Sequence, residues 1–501
     1  MHVRLLASLL IAALPLAAEV SLPNALSNHA VLQRDVPVRI WGWGTPKENV
    51  TVKFHDQTKT AIVDRLGAWQ VMLAPEKAGG PYTLQVRGDK SVTPQTRTDI
   101  LVGEVWIASG QSNMEFPLRG RPGTPGSYHP EDIAAATHPQ VRILHIAHTL
   151  SAVPLWDVKD IWTLCTPQTA DSLSAAAYWF ALQLREYEHV PVGIIQTTWG
   201  GTPVASWTSL HGLAALNGDA LKTVATDGAV SADEQGVADR IRAERAEEDQ
   251  ALRAAGQQVP KRGAIPGDHY GGAYTPGTLF NAMVAPLAPY TVRGVIWYQG
   301  EADTRGLRAK NYVHTFPNMI QDWRKQFANP DMAFLFVQIS NLKNTNDWGS
   351  VRDAQRRALR LPNTGMAVSL DIGTPDNIHP PDKKTVGERL ALAARAITYG
   401  EKDLEYAGPL FASATPQGNS MRISFTHGEG LNAKGDLGDF ELQDANGNWV
   451  PATAKIDGST IVVSAPSVTA PRAVRYGWAG EVDHYFYNKA GLPAGTFTSE
   501  K

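Results

Sequence analysis

The spacing of hydrophobic and polar positions separates the chain into three regions. Near the start, apolar and polar residues alternate in short runs such as 50–54 and 69–73, and clusters of glycine or proline separate these runs. Period-two alternation is typical of strands that bury one face. We therefore predict an N-terminal β-domain over residues 19–98.

The last hundred residues show the same alternation. Asn446-Gly447 and Asp457-Gly458 stand between alternating runs and indicate hairpins, because tight β-turns favour residues that tolerate a positive φ. We predict a C-terminal β-domain over 405–501.

The middle of the chain, 99–404, follows a different pattern. Short and almost continuously apolar runs recur there, with helical stretches between most of them, which indicates a parallel sheet covered by helices on both faces. The runs lie at 105–108, 141–147, 192–196, 292–298, 333–339 and 366–371.

One helical stretch of this middle region is densely charged. It begins near Ser231 and ends at Gly256, before Pro260. A helix of this composition is typical of a solvated surface element. We interpret the stretch near 231–262 as an insertion or a lid.

The first 18 residues have the order of a secretory signal peptide. Arg4 precedes an apolar run over 5–16, and the small residues Ala17 and Ala18 follow it. The run is too short to span a bilayer. We therefore expect residues 1–18 to be removed and the protein to be periplasmic or extracellular.

Composition narrows the possible partners. A formal net charge of -3 over 501 residues carries no sign of the basic surface that nucleic-acid binding requires. No later segment is apolar enough to be expected to cross a membrane. The single cysteine, Cys165, cannot form an intrachain disulfide and is interpreted as structural.

Polar residues follow several of the apolar runs, at the points where strands would end. In an open α/β sheet, ligands bind beyond the carboxyl ends of the strands, so these residues are candidates for one site. They are Ser112 and Asn113 after the first run, Gly200 and Gly201 after the third, Gln299, Glu301 and Asp303 after the fourth, and Asp376 and His379 after the sixth.

Asp376 and His379 are three residues apart, a spacing that allows the carboxylate to hold one imidazole nitrogen. Pro380 disfavours the α conformation for His379 and so assigns the histidine to a loop. A histidine that caps or packs near the start of the following helix is the alternative interpretation.

Several long motifs in this order resemble the sialate O-acetylesterase family of the SGNH hydrolases. The motifs are "GQSNMEFPL", "WGGTPVASW", "NAMVAPL", "VIWYQGEAD" and "IHPPDKKTVGERLA". Both flanks are similar to that family as well. The resemblance implies a three-layer α/β/α core of SGNH type with β-domains on both sides, and an esterase that removes O-acetyl groups from sugars.

The same resemblance suggests roles for individual residues. Ser112 would be the nucleophile, His379 its general base, and Asp376 the acid that fixes the imidazole tautomer. We expect kcat/KM to rise with one ionisation of the base near neutral pH. The oxyanion hole would be formed by donors on Ser112, on Gly200 or Gly201, and on Gln299 or Asn113.

The third motif departs from the common SGNH pattern. An asparagine is usual there, whereas this chain has Gln299-Gly300-Glu301. Glu301 is therefore a rival to Asp376 for the role of the acid, or a support that bridges loops of the site. Asp303 is interpreted as a loop residue.

Other classes of protein fit the sequence less well. We expect neither a metal nor a cofactor, since no H-E-x-x-H motif is present and the histidines are scattered. An α/β-hydrolase would need G-x-S-x-G around its serine. A glycan-binding protein on an inactive esterase scaffold is the alternative of another class.

The sequence leaves the substrate and the oligomeric state open. O-acetylated sialic acid is the substrate that the resemblance suggests, and acetylxylan or another plant polysaccharide is the competitor. A sialic acid carboxylate would need a nearby arginine, for which Arg119, Arg121 and Arg305 are candidates.

Overall fold

The structure is a computed structural model that describes residues 19–91, 93–261 and 272–500. The predicted signal peptide, 1–18, lies outside the described residues. Within them, no helix combines the length and the hydrophobicity that crossing a membrane requires.

The N-terminal region is a set of short strands, as its alternation predicts. β2 and β5 form an antiparallel ribbon, and β3 pairs with both β4 and β6. The strands are β1 (Val31–Gln33), β2 (Val38–Trp43), β3 (Asn49–Phe54), β4 (Gln57–Ile62), β5 (Ala68–Leu73) and β6 (Gly79–Gly88).

The central sheet has the order β13-β12-β11-β7-β10-β8-β9, and it is parallel except for β9, which runs antiparallel to β8. All six expected apolar runs form its parallel strands. The strands are β7 (Gln95–Gly110), β8 (His138–His145), β9 (Thr163–Cys165), β10 (Val192–Thr198), β11 (Gly294–Tyr298), β12 (Ala333–Gln338) and β13 (Thr364–Val368).

Helices cover both faces of this sheet, which confirms the predicted three-layer core. The helices are α1 (Ser112–Glu115), α2 (Pro130–Ala134), α3 (Pro167–Ala170), α4 (Ala175–Glu188), α5 (Leu210–Ala214), α6 (Gly218–Ala254), α7 (Gly306–Gln326), α8 (Trp348–Ala358) and α9 (Lys383–Ala393). α4 packs against α9, and α7 packs against α8. Single 3-10 turns occupy Asn24–Leu26, Val204–Trp207, Ala285–Leu287, Glu301–Asp303 and Leu370–Ile372, and single π turns occupy Phe280–Val284 and Ala394–Thr398.

β7 joins the N-terminal region to the core. Its first residues are alternately exposed and pair with β6, whereas its buried second half pairs with β10 and β11. The predicted boundary at residue 98 therefore falls inside one strand. The sequence changes there from an alternating to a continuously apolar pattern, because the strand passes from a half-exposed sheet into the core.

The C-terminal region is an antiparallel sheet of order β14-β15-β19-β18-β17-β20-β22, with β16 paired to β21 beside it. Both expected hairpins are present, between β17 and β18 and between β18 and β19. The strands are β14 (Leu410–Gln417), β15 (Ser420–Thr426), β16 (Asn432–Ala433), β17 (Phe440–Gln443), β18 (Trp449–Asp457), β19 (Thr460–Ser464), β20 (Ala473–Tyr476), β21 (Phe486–Tyr487) and β22 (Phe497–Thr498).

The fully buried Arg352 of α8 ties this region to the core. Its guanidinium donates to the carbonyls of Ile339 and Ser340 in the core, and to those of Gly477, Ala479 and Gly480 in the C-terminal region. Burial lowers the pKa of Arg352 to about 9. The five hydrogen bonds of the guanidinium connect the core to the C-terminal region through backbone carbonyls of both.

The charged stretch is longer than its sequence suggests. α6 begins at Gly218, well before the expected start at 231, and ends at Ala254. Ala220 and Val224, one turn apart, are buried with Leu213 and Leu216 of the preceding segment. This apolar contact extends the helix toward its N-terminus.

Candidate active site

The candidate residues gather at the carboxyl edge of the central sheet. β7 lies between β10 and β11 in the sheet. The strands β8, β9 and β10 lie on one side of β7, and the later strands β11, β12 and β13 lie on the other side. A reversal of this kind leaves a crevice beyond the strand ends, where α/β proteins bind ligands. The segments after β7, β10, β11 and β13 all reach this edge.

Gly110 sets the turn that presents Ser112. Its φ is +136°, and a Cβ at this position would lie 2.2 Å from the Tyr298 carbonyl oxygen. Only glycine allows β7 and β11 to approach so closely. The Gln111 amide then donates to that same carbonyl oxygen at 3.0 Å, and Ser112 begins the single turn of α1.

Ser112 and His379 are in direct contact. The distance between Ser112 Oγ and His379 Nε2 is 2.9 Å, although 267 residues separate the two in the chain. Ser112 is 9% exposed, and the loop after β13 carries the imidazole. The His379 amide donates to Asn377 Oδ1 at 2.9 Å, which fixes the backbone of the loop. A hydroxyl at this distance from a neutral imidazole can give up its proton as it attacks.

His379 is held in its neutral form. Burial, together with the positive charges of Arg121 and Lys383, lowers the pKa of the imidazole to about 4, and the Glu115 carboxylate opposes this shift. The expected ionisation near neutral pH therefore moves to lower pH. The main reason is burial of the ring, to which the positive charges of Arg121 and Lys383 add, and the sequence does not reveal these surroundings.

The expected pairing of Asp376 with His379 is absent from the structure. Asp376 is exposed, and neither a hydrogen bond nor an ion pair joins it to any other described residue. The cause is a tight turn over 374–377, closed by the Asn377 amide and the Thr374 carbonyl oxygen at 3.1 Å. Asp376 lies at the outer end of this turn, so its three-residue spacing from His379 does not bring the side chains together.

Glu301 does not contact His379 either, but it belongs to a buried network beneath the histidine loop. Asn113 Nδ2 donates to Glu301 Oε1 at 2.5 Å and to the Ile378 carbonyl oxygen at 2.9 Å. Lys383 Nζ donates to Asn113 Oδ1 and to the Pro380 carbonyl oxygen, both at 2.7 Å. Ile378 is thereby bonded directly to Asn113, the neighbour of Ser112, and Pro380 is linked to Asn113 through Lys383.

Both charged members of this network are buried. Burial lowers the pKa of Lys383 to about 7, against the attraction of the Glu301 carboxylate. Burial also raises the pKa of Glu301, although the Asn113 hydrogen bond and Lys383 oppose that shift. Asn113 lies between the two groups and hydrogen-bonds to both. The expectation that Glu301 bridges loops thus has contacts to support it.

The expected oxyanion donors differ in their availability. The Gly200 amide donates to Glu115 Oε2 at 2.9 Å, and a Cβ at Gly200 would lie 3.2 Å from the Ser112 Cβ. Gly200 thus lies against the nucleophile, but its N–H is engaged. The amides of Ser112 and Gly201 have no acceptor among the described residues.

The side-chain donors proposed for the oxyanion hole are engaged as well. Gln299 Nε2 donates to Asp303 Oδ2 at 2.5 Å and to the Thr202 carbonyl oxygen at 3.2 Å. Gln299 Oε1 accepts from the Tyr312 hydroxyl at 2.8 Å. Gln299 therefore ties the ends of β10 and β11 to α7, and both amide hydrogens of Asn113 are used in the network described above.

Sequence reasoning missed two residues that border the site. Glu115 Oε1 lies 2.6 Å from His148 Nε2, and the His148 ring stacks on Trp199 with centroids 4.1 Å apart. The three-residue spacing of Glu115 from Ser112 on α1 could have indicated that both side chains share one face of the turn. His148, remote in sequence, carried no such signal.

Lys383 was also missed. Its signal was a cation in the "IHPPDKK" motif, directly after the histidine loop.

Among the described residues, no group of three or more His, Cys, Asp or Glu side chains has an arrangement that could hold a metal ion.

Comparisons with known proteins place this geometry in a family. The family described as "Carbohydrate esterase, sialic acid-specific acetylesterase" matches residues 267–396. The mouse sialate O-acetylesterase is 30% identical over 95% of this chain and 93% of its own length, and the human enzyme is 29% identical over 94% and 91%. A crystal structure of a carbohydrate acetylesterase from Xanthomonas citri is 34% identical, with a TM-score of 0.79 over 96% of this chain and all of that one.

The fold, the site at the strand ends and the similarity to these esterases over nearly the whole chain together identify a carboxylic ester hydrolase. The chain belongs to the sialate O-acetylesterase family of carbohydrate esterases. The resemblance found in the motifs is thereby confirmed. The glycan-binding alternative, which would lack enzyme activity, is not supported.

The low pKa of His379 predicts catalysis over a broad acid range. If the neutral imidazole acts as the base, kcat/KM should remain level below neutral pH and decline only as His379 binds a proton near pH 4. In Arg121→Gln, a positive charge that disfavours the imidazolium is lost, so the decline should begin at a higher pH. Initial rates on a chromogenic acetyl ester across the acid range measure this.

Arg119→Gln is the matched control, since Arg119 is exposed and pairs with Asp171. It should leave the pH profile of the wild type unchanged. An Arg121→Gln profile that coincides with the wild type would contradict the electrostatic account of His379.

Proposed function

We propose that this protein is a secreted serine esterase that removes O-acetyl groups from carbohydrates, in the manner of a sialate O-acetylesterase. The observation that carries the proposal is the 2.9 Å contact between Ser112 Oγ and His379 Nε2 at the carboxyl edge of the sheet. The reaction would proceed through an acyl-enzyme on Ser112.

In the first half of the reaction, His379 Nε2 takes the hydroxyl proton while Ser112 Oγ bonds to the acetyl carbonyl carbon. The oxyanion that forms would accept a hydrogen bond from the Ser112 amide, with the Gly201 amide as the second donor. The bond from that carbon to the sugar oxygen then breaks, and the sugar oxygen receives the proton from His379. In the second half, water attacks the acetyl carbon while His379 Nε2 takes a proton from it. The bond from that carbon to Ser112 Oγ then breaks, His379 returns the proton to Oγ, and acetate leaves.

The imidazole would be positioned by its loop rather than by a carboxylate. Asn113 and Lys383 hold Ile378 and Pro380, the neighbours of His379, through their carbonyl oxygens. We propose that Glu301, Asn113 and Lys383 are positioning residues for the base. Asp376, exposed on its turn, has no contact that supports the acid role.

Arg121 is the candidate for recognition of a sialic acid carboxylate. Its charge lowers the pKa of His379, and it borders a cavity of about 480 Å³ together with Glu115, Arg119 and His148. Arg305 is exposed at the start of α7. One observation favours the alternative, an acetylated neutral polysaccharide such as acetylxylan: Arg121 already lies 3.5 Å from the Glu115 carboxylate.

Export remains part of the proposal. The described fold begins at Glu19, and Ser21 already belongs to it, since its amide donates to the Trp43 carbonyl oxygen at 2.9 Å. Cleavage after Ala18 would leave this contact intact. The processed protein would then be periplasmic or extracellular.

Ser112→Ala should abolish most acetate release, because it removes the hydroxyl that contacts His379 Nε2 and would form the acyl-enzyme. Acetate release is to be measured on O-acetylated sialic acid and on acetylated xylan side by side, which also ranks the two substrate classes. Ser109→Ala is the control, since Ser109 Oγ is buried and has no hydrogen-bond partner among the described residues. Near wild-type release by Ser112→Ala would rule out the serine mechanism.

A triad with Asp376 as its acid predicts that Asp376→Asn is more damaging than Lys383→Met, and the positioning proposal predicts the opposite order. Lys383→Met breaks the bonds to Asn113 and Pro380 and should lower kcat by about tenfold to a hundredfold through misplacement of His379. It should also move the acid decline of kcat/KM to higher pH, because Lys383 is one of the charges that lower the pKa of His379. Asp376→Asn should cost less than about threefold, far below the roughly 10⁴-fold loss typical of a triad acid.

Lys384→Met is the control for this comparison, since Lys384 is exposed and lies over Trp179. Circular dichroism should confirm that each variant folds. If Asp376→Asn proves the more damaging change, Asp376 is the acid and the loop must rearrange to bring it to His379.

Processing can be tested on protein recovered from the native host. N-terminal sequencing should give a start at or near Glu19. A mature chain that begins at Met1 would contradict export through a cleaved signal peptide.

A further inference from the structure

The N-terminal ribbon contributes aromatic residues to a cleft beside the core. Alternate residues of a strand point to the same side, so Arg39, Trp41 and Trp43 of β2 share one face. Their partners on β5 across the ribbon are Met72, Gln70 and Ala68. The opposite face is buried in the core. In this row of three side chains, Trp41 is 7% exposed and packs edge-on against Tyr290, with 6.1 Å between the ring centroids. Trp43 is the aromatic ring of the row that remains partly exposed.

The row forms one wall of a cleft of about 680 Å³ between the ribbon and the core. The facing wall includes Trp156 and the segment 285–289 that precedes β11. Trp156 is 75% exposed, although the amide of the preceding Leu155 is held by the Asn281 carbonyl oxygen at 2.8 Å. A large aromatic ring is thus held in solvent at the mouth of the cleft by an anchored backbone.

The polar groups of the cleft are few and nearly balanced in charge. Arg39 and Asp64 are the ionisable side chains in its lining, beside Gln70 and Gln326. Asp64 Oδ1 already accepts from the amides of Leu66 and Ala68. Arg39 Nε is buried and has no hydrogen-bond partner among the described residues. The lining therefore combines flat apolar surfaces with a few unsatisfied or exposed polar groups, and it carries no net charge.

We infer that this cleft is a second carbohydrate-binding site, which holds a neutral segment of an oligosaccharide chain away from the ester that is hydrolysed. Sugar rings present C–H faces that pack on aromatic rings, and their hydroxyls need donors and acceptors at the edges of those rings. Trp43 and Trp156 supply the rings. Arg39 and Gln70 supply the polar partners.

The cleft lies toward the amino end of β11, whereas the candidate active site lies at the carboxyl edge of the sheet, but the chain limits the distance between them. His148 borders Ser112 through Glu115, and Trp156 is eight residues further along the same segment. Eight residues extend at most about 29 Å, so the two sites are within reach of a single glycan chain. The cleft would raise affinity for polymeric substrates without taking part in ester cleavage.

Binding can be tested on the full-length protein with xylohexaose and cellohexaose, two neutral hexasaccharides that carry no ester. Calorimetric titration should show saturable binding of at least one of them. Trp156→Ala and Trp43→Ala should each weaken that binding by about tenfold or more, since each removes a stacking surface. Leu66→Ala, which alters a side chain that is 77% exposed outside the cleft, should leave it unchanged.

Activity provides the second readout. Trp156→Ala should retain wild-type kcat/KM on a small chromogenic acetyl ester but lose severalfold on acetylated xylan. Because the hexasaccharides lack an ester, binding does not depend on the role of Ser112, and this inference can fail or hold independently of the proposed mechanism.

Three outcomes would overturn the inference. One is the absence of binding of both hexasaccharides at millimolar concentration, and another is equal binding by wild type and Trp156→Ala. The third is a concentration-dependent dimer, detected by sedimentation and lost in Trp156→Ala, which would assign the cleft to a second copy of the chain.

Discussion

The close approach of β7 and β11 at Gly110 determines where the reactive serine lies. Because a side chain there would collide with the Tyr298 carbonyl oxygen, the two strand ends can meet only around a glycine. The same carbonyl oxygen then accepts the Gln111 hydrogen bond, and Ser112 follows at the start of α1. Ser112, the proposed nucleophile, is therefore positioned by backbone packing at the edge of the sheet.

His379 lacks such a rigid support and depends on polar contacts instead. Its loop is fastened by Asn113 and Lys383, both buried. Burial of an ammonium and a carboxylate is costly unless they are paired and hydrogen-bonded. Asn113 meets this requirement by contacting both Lys383 and Glu301. Burial of the ring and the charge of Lys383 both lower the pKa of His379, so the network that holds the proposed base also affects its proton affinity.

The two β-regions are integral to this enzyme. The N-terminal sheet shares β7 with the catalytic core, and Arg352 of the core donates to backbone carbonyls of the C-terminal region. The cleft beside β2, which we infer to bind sugars, is lined by residues of both the N-terminal region and the core.

Sequence alone determined the layered fold and the two residues of the reactive pair. Short apolar runs that alternate with helical stretches indicate a buried parallel sheet, and parallel strands bring their carboxyl ends to one edge. Ser112 and His379 could therefore be placed together from pattern and motif. Such features depend on local periodicity and on the rules of sheet packing.

Tertiary structure decided which polar groups meet. Asp376 faces solvent because a turn over 374–377 directs it there, and Gly200 and Gln299 use their N–H groups elsewhere. Lys383 matters through contacts with Asn113, 270 residues away. Hydrogen-bond partners and electrostatic shifts depend on distances of a few ångströms between remote segments. Spacing along the chain does not encode those distances.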